Sequence, residues 1–137
     1  MIDVEKYLFT PYVKGGRELH GFDCWGLVLL IRAELGLPIL DGPIDANRDN
    51  PLAMQRLYRS ITSGPLEPCD GLLPGDVAAV FKAGVLVHVA VALEIDGRIA
   101  LIETNPGSGV RWMHLDRFLQ TYYKVAFYRD RNLPEPA

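Results

Sequence analysis

The chain has 137 residues, 49% of them hydrophobic and 23% charged. That is one domain's worth of protein, apolar enough to exclude wholesale disorder and long enough for a core that needs no disulfide staples. Fourteen basic against seventeen acidic side chains leave a net charge of −3, so the basic footprint of a nucleic-acid-binding protein is absent.

In chain order, Tyr12-Val13-Lys14-Gly15-Gly16 reads as a loop, and residues 24–35 read as a helix. Asp23 is its N-cap, and Gly36 followed by Pro38 is its stop. This helix is apolar nearly all round, which places it in the centre of the fold. Residues 37–50 read as loop, and Asn50-Pro51 opens a helix ending near Ile61. Residues 65–70 read as a Pro-rich loop. Strands are expected at 77–81, 85–95, 99–104, 110–113 and 124–128, with a short helix at 115–120. Asp96-Gly97 is a two-residue hairpin turn. The fold class is therefore α+β: a single domain over 1–137, with helices first, then an antiparallel meander on which one helix packs. The tail 133–137 and the loop 37–50 are the irregular segments expected to meet partners. The apolar stretch 25–31 is too short to span a bilayer. No apolar signal core follows Met1, so synthesis in the cytosol is expected, and a carrier if the protein acts outside.

Cys24 stands at the expected helix start, where unpaired backbone N–H groups and the helix dipole favour thiolate. A lone buried cysteine is more often inert. His88 lies within a valine-rich strand, and a buried imidazole needs partners for both nitrogens. Across the Asp96-Gly97 hairpin, Ile95 pairs with Arg98, Ala90 with Glu103 and His88 with Asn105. Glu103 and Asn105 both share the His88 face, and either could orient the ring. Cysteine, histidine and a polar orienter are the parts of a cysteine hydrolase, with the Cys24 N–H as an oxyanion donor. His20 and Cys24 have an H-x₃-C spacing, but no second ligand pair completes a zinc site, so no metal or cofactor is expected. Cys69 reads as a bystander, and a disulfide to Cys24 would block the nucleophile. His114 is expected at the surface. Gly15-Gly16 lacks the strand-before, helix-after context of a phosphate loop.

Tyr12-Val13-Lys14-Gly15-Gly16 with Gly21-Phe22-Asp23-Cys24-Trp25-Gly26-Leu27-Val28 resembles the catalytic start of NlpC-type cell-wall cysteine peptidases, including the Tyr12-to-Cys24 spacing. Leu73-Pro74-Gly75-Asp76-Val77 and His88-Val89-Ala90-Val91 resemble that family's next two motifs, in order. The likeness runs from about Tyr12 to Arg129. It implies a papain-like fold and cleavage of peptidoglycan stem peptides, typically between D-γ-glutamate and the diamino acid. By position, Cys24 is the nucleophile, His88 the base, and Tyr12 and Asp23 hold substrate. The family's third residue is usually His, Asn or Gln, and the register of Gly109-Val110 puts Glu103 there. Trp25, where many relatives have Ser, looks most like members carried by phage tails. That implies tail-tip proteins as partners, action at the wall and no membrane insertion. Two further readings are an inactive structural tail subunit and a papain-like amidase or acyltransferase with another acyl substrate.

Overall fold

The computed structural model describes residues 2–18, 21–40 and 49–131. The elements are α1 (Glu5–Leu8), β1 (Arg17–Glu18), β2 (Gly21–Phe22), α2 (Cys24–Glu34), α3 (Pro51–Ser63), β3 (Leu66–Cys69), β4 (Val77–Lys82), β5 (Val85–Ile95), β6 (Arg98–Asn105), β7 (Gly109–His114), α4 (Leu115–Thr121) and β8 (Lys124–Asp130). This is an α+β domain, as the pattern of the sequence requires. Residues 41–48 of the expected loop, the tail 133–137 and His20 lie outside the described residues.

α2 starts and stops where the sequence places its caps. Asp23 is extended and accepts the Gly26 N–H through its side chain. At the other end Gly36 takes φ +74°. There its N–H bonds to Ala33 O and the Leu37 N–H to Arg32 O, the Schellman arrangement that only a left-handed residue permits without strain. α3 has Pro51 at its first position and the Asn50 side chain accepting from Leu52 N and Ala53 N. It turns Ala53, Met54, Leu57 and Ile61 inward at helical spacing.

The main sheet has six strands in the order β3-β8-β4-β5-β6-β7. Two expectations are corrected here. Residues 65–70 are not a plain loop: β3 pairs with β8 at the sheet edge, where Pro68 can lack a donor without disrupting a ladder. Nor is the sheet a simple meander, because β8 returns to lie between β3 and β4. A central strand at the chain's end gives no local signal of where it inserts. Helices cover both faces of the sheet. Cys24, Leu27, Val28 and Ile31 of α2 and Met54, Leu57 and Ile61 of α3 pack with Val77, Val89, Val91 and Ile102. Phe118 of α4 packs with Ala78, Val80, Ala90, Ala92 and Leu101.

The β4–β5 and β5–β6 hairpins turn on Ala83-Gly84 and Asp96-Gly97, all four residues at positive φ. This is the backbone that matches strand twist. β5 pairs Val80 with His88 but Phe81 with Leu86, leaving Val87 as a bulge beside His88.

Buried charge ties these layers together. Arg32, 2% exposed, donates to Asp130 Oδ1 at 2.7 Å, Gly75 O at 3.0 Å and Pro38 O at 3.1 Å. Asp76 accepts from Arg129 Nε at 2.8 Å and Nη2 at 2.7 Å, and from Leu73 N at 3.1 Å. The Leu73-Pro74-Gly75-Asp76 motif is thus a scaffold turn that clamps β4 to β8. Gly75 is required there, since it has φ +91° and a Cβ would meet Leu37 Cδ1 at 2.1 Å. Removing one partner of a buried ion pair strands the other. Arg32→Ala is therefore expected to lower unfolding free energy by about 3–5 kcal/mol, read by urea denaturation, while a joint Arg32→Met, Asp130→Leu change costs much less.

Candidate active site

The segment before α2 is folded against the helix end by backbone bonds. Val13 N donates to Phe22 O at 3.0 Å, Phe22 N to Pro11 O at 3.4 Å, and Asp23 N to Gly16 O at 3.2 Å. These bonds bracket Tyr12, whose backbone bridges Phe22 in parallel, and they account for the Tyr12-to-Cys24 spacing. The loop crosses α2 so closely that a Cβ on Gly26 would lie 2.3 Å from Gly16 O. Glycine two residues after Cys24 is therefore a packing requirement.

Asp23 is fully buried. Its Oδ1 accepts Gly26 N at 2.8 Å and Arg17 Nη1 at 2.6 Å, and its Oδ2 accepts Gly15 N at 3.2 Å. The carboxylate thus caps α2 and pins the glycine loop, which fixes the first helical residue, Cys24. Cys24 is 0% exposed, forms no disulfide and sits in the α2-side core. α2 itself packs on β5, the strand of His88, and on β6, the strand of Glu103. Tyr12 lines an open cleft of about 520 Å³ with Thr10, Pro106, Gly107 and Ser108, next to the turn that follows β6.

The hairpin register is the one counted from the turn, from Ile95 opposite Arg98 to Val91 opposite Ile102. Of the two residues left open as orienters, Glu103 lies against the ring: His88 Nε2 is 2.9 Å from Glu103 Oε1, with both residues 0% exposed. The contact is diagonal across the hairpin. Asn105 pairs with Gly109 in the β6–β7 register, and its side chain hydrogen-bonds Tyr122.

Two members of this cluster escaped the sequence reading. Arg111 Nε donates to Glu103 Oε2 at 2.7 Å, and the Tyr122 hydroxyl donates to Oε1 at 2.7 Å. Arg111 stands opposite Glu103 in the β6–β7 register, so counting the second hairpin from its Asn105–Gly109 end would have found it. Tyr122 follows α4 and no local pattern announces it. Burial pushes the Glu103 carboxyl up, but the His88 hydrogen bond and charge, then Tyr122 and Arg111, outweigh it and hold the group at about 2.

The remaining candidates separate. Cys69 also forms no disulfide, and burial together with the Asp76 carboxylate pushes its thiol up to about 11. Cys69, Asp70 and Asp76 form the one metal-like cluster among the described residues. Its two carboxylates are taken by Arg129 at 2.7–2.8 Å, so it fits a guanidinium rather than an ion. His114 is half-buried rather than fully exposed as expected, with Nε2 3.1 Å from Ile95 O. Its place at the end of β7, beside the Ile95 turn, is what covers it. Among the described residues no helix is long and apolar enough to cross a membrane.

The model of the NlpC/P60 family matches residues 9–130. The chain belongs to the NlpC/P60 family. No curated protein matches it. Among solved structures, it resembles the NlpC/p60 domain of the peptidoglycan hydrolase SagA, at 22% identity and a TM-score of 0.57, over 90% of each chain. It also resembles a lipoprotein-like NLP/P60 protein from Staphylococcus aureus, at 21% identity and a TM-score of 0.50, over 90% of this chain and 37% of that one. Both likenesses carry the fold, which is the papain-like one. Within this NlpC/P60 domain, Trp25 is a core residue, 1% exposed.

Two titrations follow. Cys69 in the folded protein is expected to alkylate with a midpoint near pH 11, against roughly 8.5 for a free thiol, as peptide mapping of iodoacetamide adducts would show. Glu103 lies below its unfolded value, so its stabilisation is complete above about pH 4.3 and lost as pH falls towards 2. Glu103→Gln should flatten the loss of stability in that window, measured by denaturant melts from pH 5 to pH 2.

Proposed function

We propose that this NlpC/P60 domain is a cysteine peptidase that cleaves peptidoglycan stem peptides, with Cys24 as nucleophile, His88 as base and Glu103 as orienter. The observation that carries the reading is the buried His88–Glu103 pair, on two strands against which the capped helix of Cys24 packs. With Nε2 donating to Glu103, Nδ1 is the imidazole nitrogen that acts as base. It takes the Cys24 S–H proton, and the thiolate adds to an amide carbonyl. The oxyanion is met by the Cys24 N–H, one of the first-turn groups a helix cannot pair internally. The imidazolium returns its proton to the leaving amine as the C–N bond breaks. Water, deprotonated by the same nitrogen, then hydrolyses the thioester. The meeting of Sγ with Nδ1 is the step this proposal adds to the geometry.

The substrate class is supported by the family and by the peptidoglycan hydrolase among its relatives of known structure. The bond we assign is D-γ-glutamyl–diamino acid. Tyr12, which lines its open cleft, is the residue we assign to meet the peptide, while Asp23 acts on the substrate through the helix end it holds. The setting we assign is a phage or phage-derived tail tip, which carries the domain to the wall. This rests on the resemblance at Trp25 and is tested by co-purification with tail proteins.

Purified protein is expected to split muropeptides between the D-γ-glutamyl and diamino acid residues, as read by mass spectrometry. Cys24→Ala should lower the rate by about 10³-fold or more, and chelators should not change it. An unaltered digest from folded protein would overturn the peptidase reading. Products of another acyl transfer would redirect it to an amidase.

A further inference from the structure

A fully buried carboxylate is stable as an anion only if its oxygens are met by donors and its charge by a cation. Glu103 has that requirement and a neutral orienter would not. His88 cannot meet it alone, because a base that alternates between neutral and protonated forms supplies a positive charge only part of the time. Two other groups converge on the same carboxylate from different elements. Arg111 reaches Oε2 from β7 at 2.7 Å, and the Tyr122 hydroxyl reaches Oε1 from the end of α4 at 2.7 Å. Arg111 also approaches the Tyr122 hydroxyl at 3.5 Å.

The arrangement does more than neutralise. The Tyr122 ring lies 5.5 Å from the His88 ring at 33°, so one side chain both bonds the carboxylate and walls the imidazole. Phe118, 4.8 Å away, buttresses it. Arg111 is 46% exposed and so adds a permanent charge at the rim without the desolvation cost of a buried guanidinium. Tyr122 stays a donor, since burial and the Glu103 carboxylate both raise its phenol.

We propose that Arg111 and Tyr122 are positioning residues of the His88–Glu103 pair. They keep the carboxylate charged and aligned through the cycle, so that Nε2 of His88 remains its donor and Nδ1 remains the nitrogen that exchanges the proton with Cys24. Glu103 takes no proton at any step. The inference rests on the peptidase reading for its substrate but not for its thiol chemistry. Among the described residues, the charged or titratable groups facing Glu103 are His88 from β5, Arg111 from β7 and Tyr122 after α4. Arg98, Asp116 and Arg117 line the open cleft outside Arg111, together with His114.

The test takes Arg111→Gln, Arg111→Lys and Tyr122→Phe in the full chain, each shown folded by thermal melt. Two readouts are taken: the pH dependence of Cys24 alkylation by iodoacetamide, and kcat and KM on muropeptides. Arg111→Gln is expected to move the acid limb of alkylation upward by about half a pH unit or more, and to lower kcat about tenfold with KM changed less than about twofold. Arg111→Lys should recover most of the pH shift, because it restores the charge. Tyr122→Phe should lower kcat several-fold with a smaller pH shift. A purely structural Arg111 would lower the melting temperature and leave both profiles where they were, and that result overturns the proposal. If Arg111→Gln does not fold, unaltered kcat and alkylation in Tyr122→Phe overturn it equally. Wild-type protein that cleaves no muropeptide, yet shows the alkylation shift in Arg111→Gln, sinks the peptidase reading and supports the positioning role.

Discussion

Helix α2 is apolar on nearly every side, and such a helix persists only if it is enclosed on every side. The sheet lies beneath it, α3 packs beside it in the same core, and the loop before it crosses its first turn at the distance of a missing methyl group. Enclosure of the first turn creates a second demand, because its unpaired N–H groups are cut off from water. Asp23 answers there, and at the exposed finish Gly36 closes the last carbonyls. Putting a cysteine at the first position of such a helix places it deep in the fold, yet beside the dipole's positive end.

The same logic governs the buried carboxylates. Asp23, Asp76, Glu103 and Asp130 each meet an arginine, at 2.6–2.8 Å. In two of the four the pair joins elements far apart in the chain. Asp76 with Arg129 and Asp130 with Arg32 clamp β8 into the middle of the sheet, while Glu103 with Arg111 joins neighbouring strands. Similar chemistry therefore serves assembly in two places and the candidate site in another, and only the company differs. Beside Asp76 the neighbour is a turn, and beside Glu103 it is an imidazole.

What the sequence disclosed was local. The caps of α2, the proline at the start of α3 and the Asp96-Gly97 turn are each readable within a few residues, and the hairpin register that brings Glu103 to the strand of His88 follows from that turn. Parity alone leaves Glu103 and Asn105 level, and the His88–Glu103 contact is diagonal and depends on side-chain length. β3 was hidden by Pro68, since a proline is uninformative about edge strands. The insertion of β8 and the approach of Tyr122 depend on where the chain returns after α4, a long-range outcome with no periodic signature. Arg111 was recoverable by geometry already in use, applied to one more hairpin.

The bulge at Val87 has a consequence for how this strand can change over evolutionary time. Leu86 belongs to the α2-side core together with Val89 and Val91, although strict alternation would group it with His88 and Ala90. The extra residue breaks the parity between the hairpin tip and the rest of β5. Reshaping the Ala83-Gly84 tip by substitution leaves the outlook of His88 untouched. Losing one residue at the bulge would reverse the sidedness of one half of the strand relative to the other. The site is thus tolerant of drift in composition beyond the bulge and intolerant of a single-codon deletion within it.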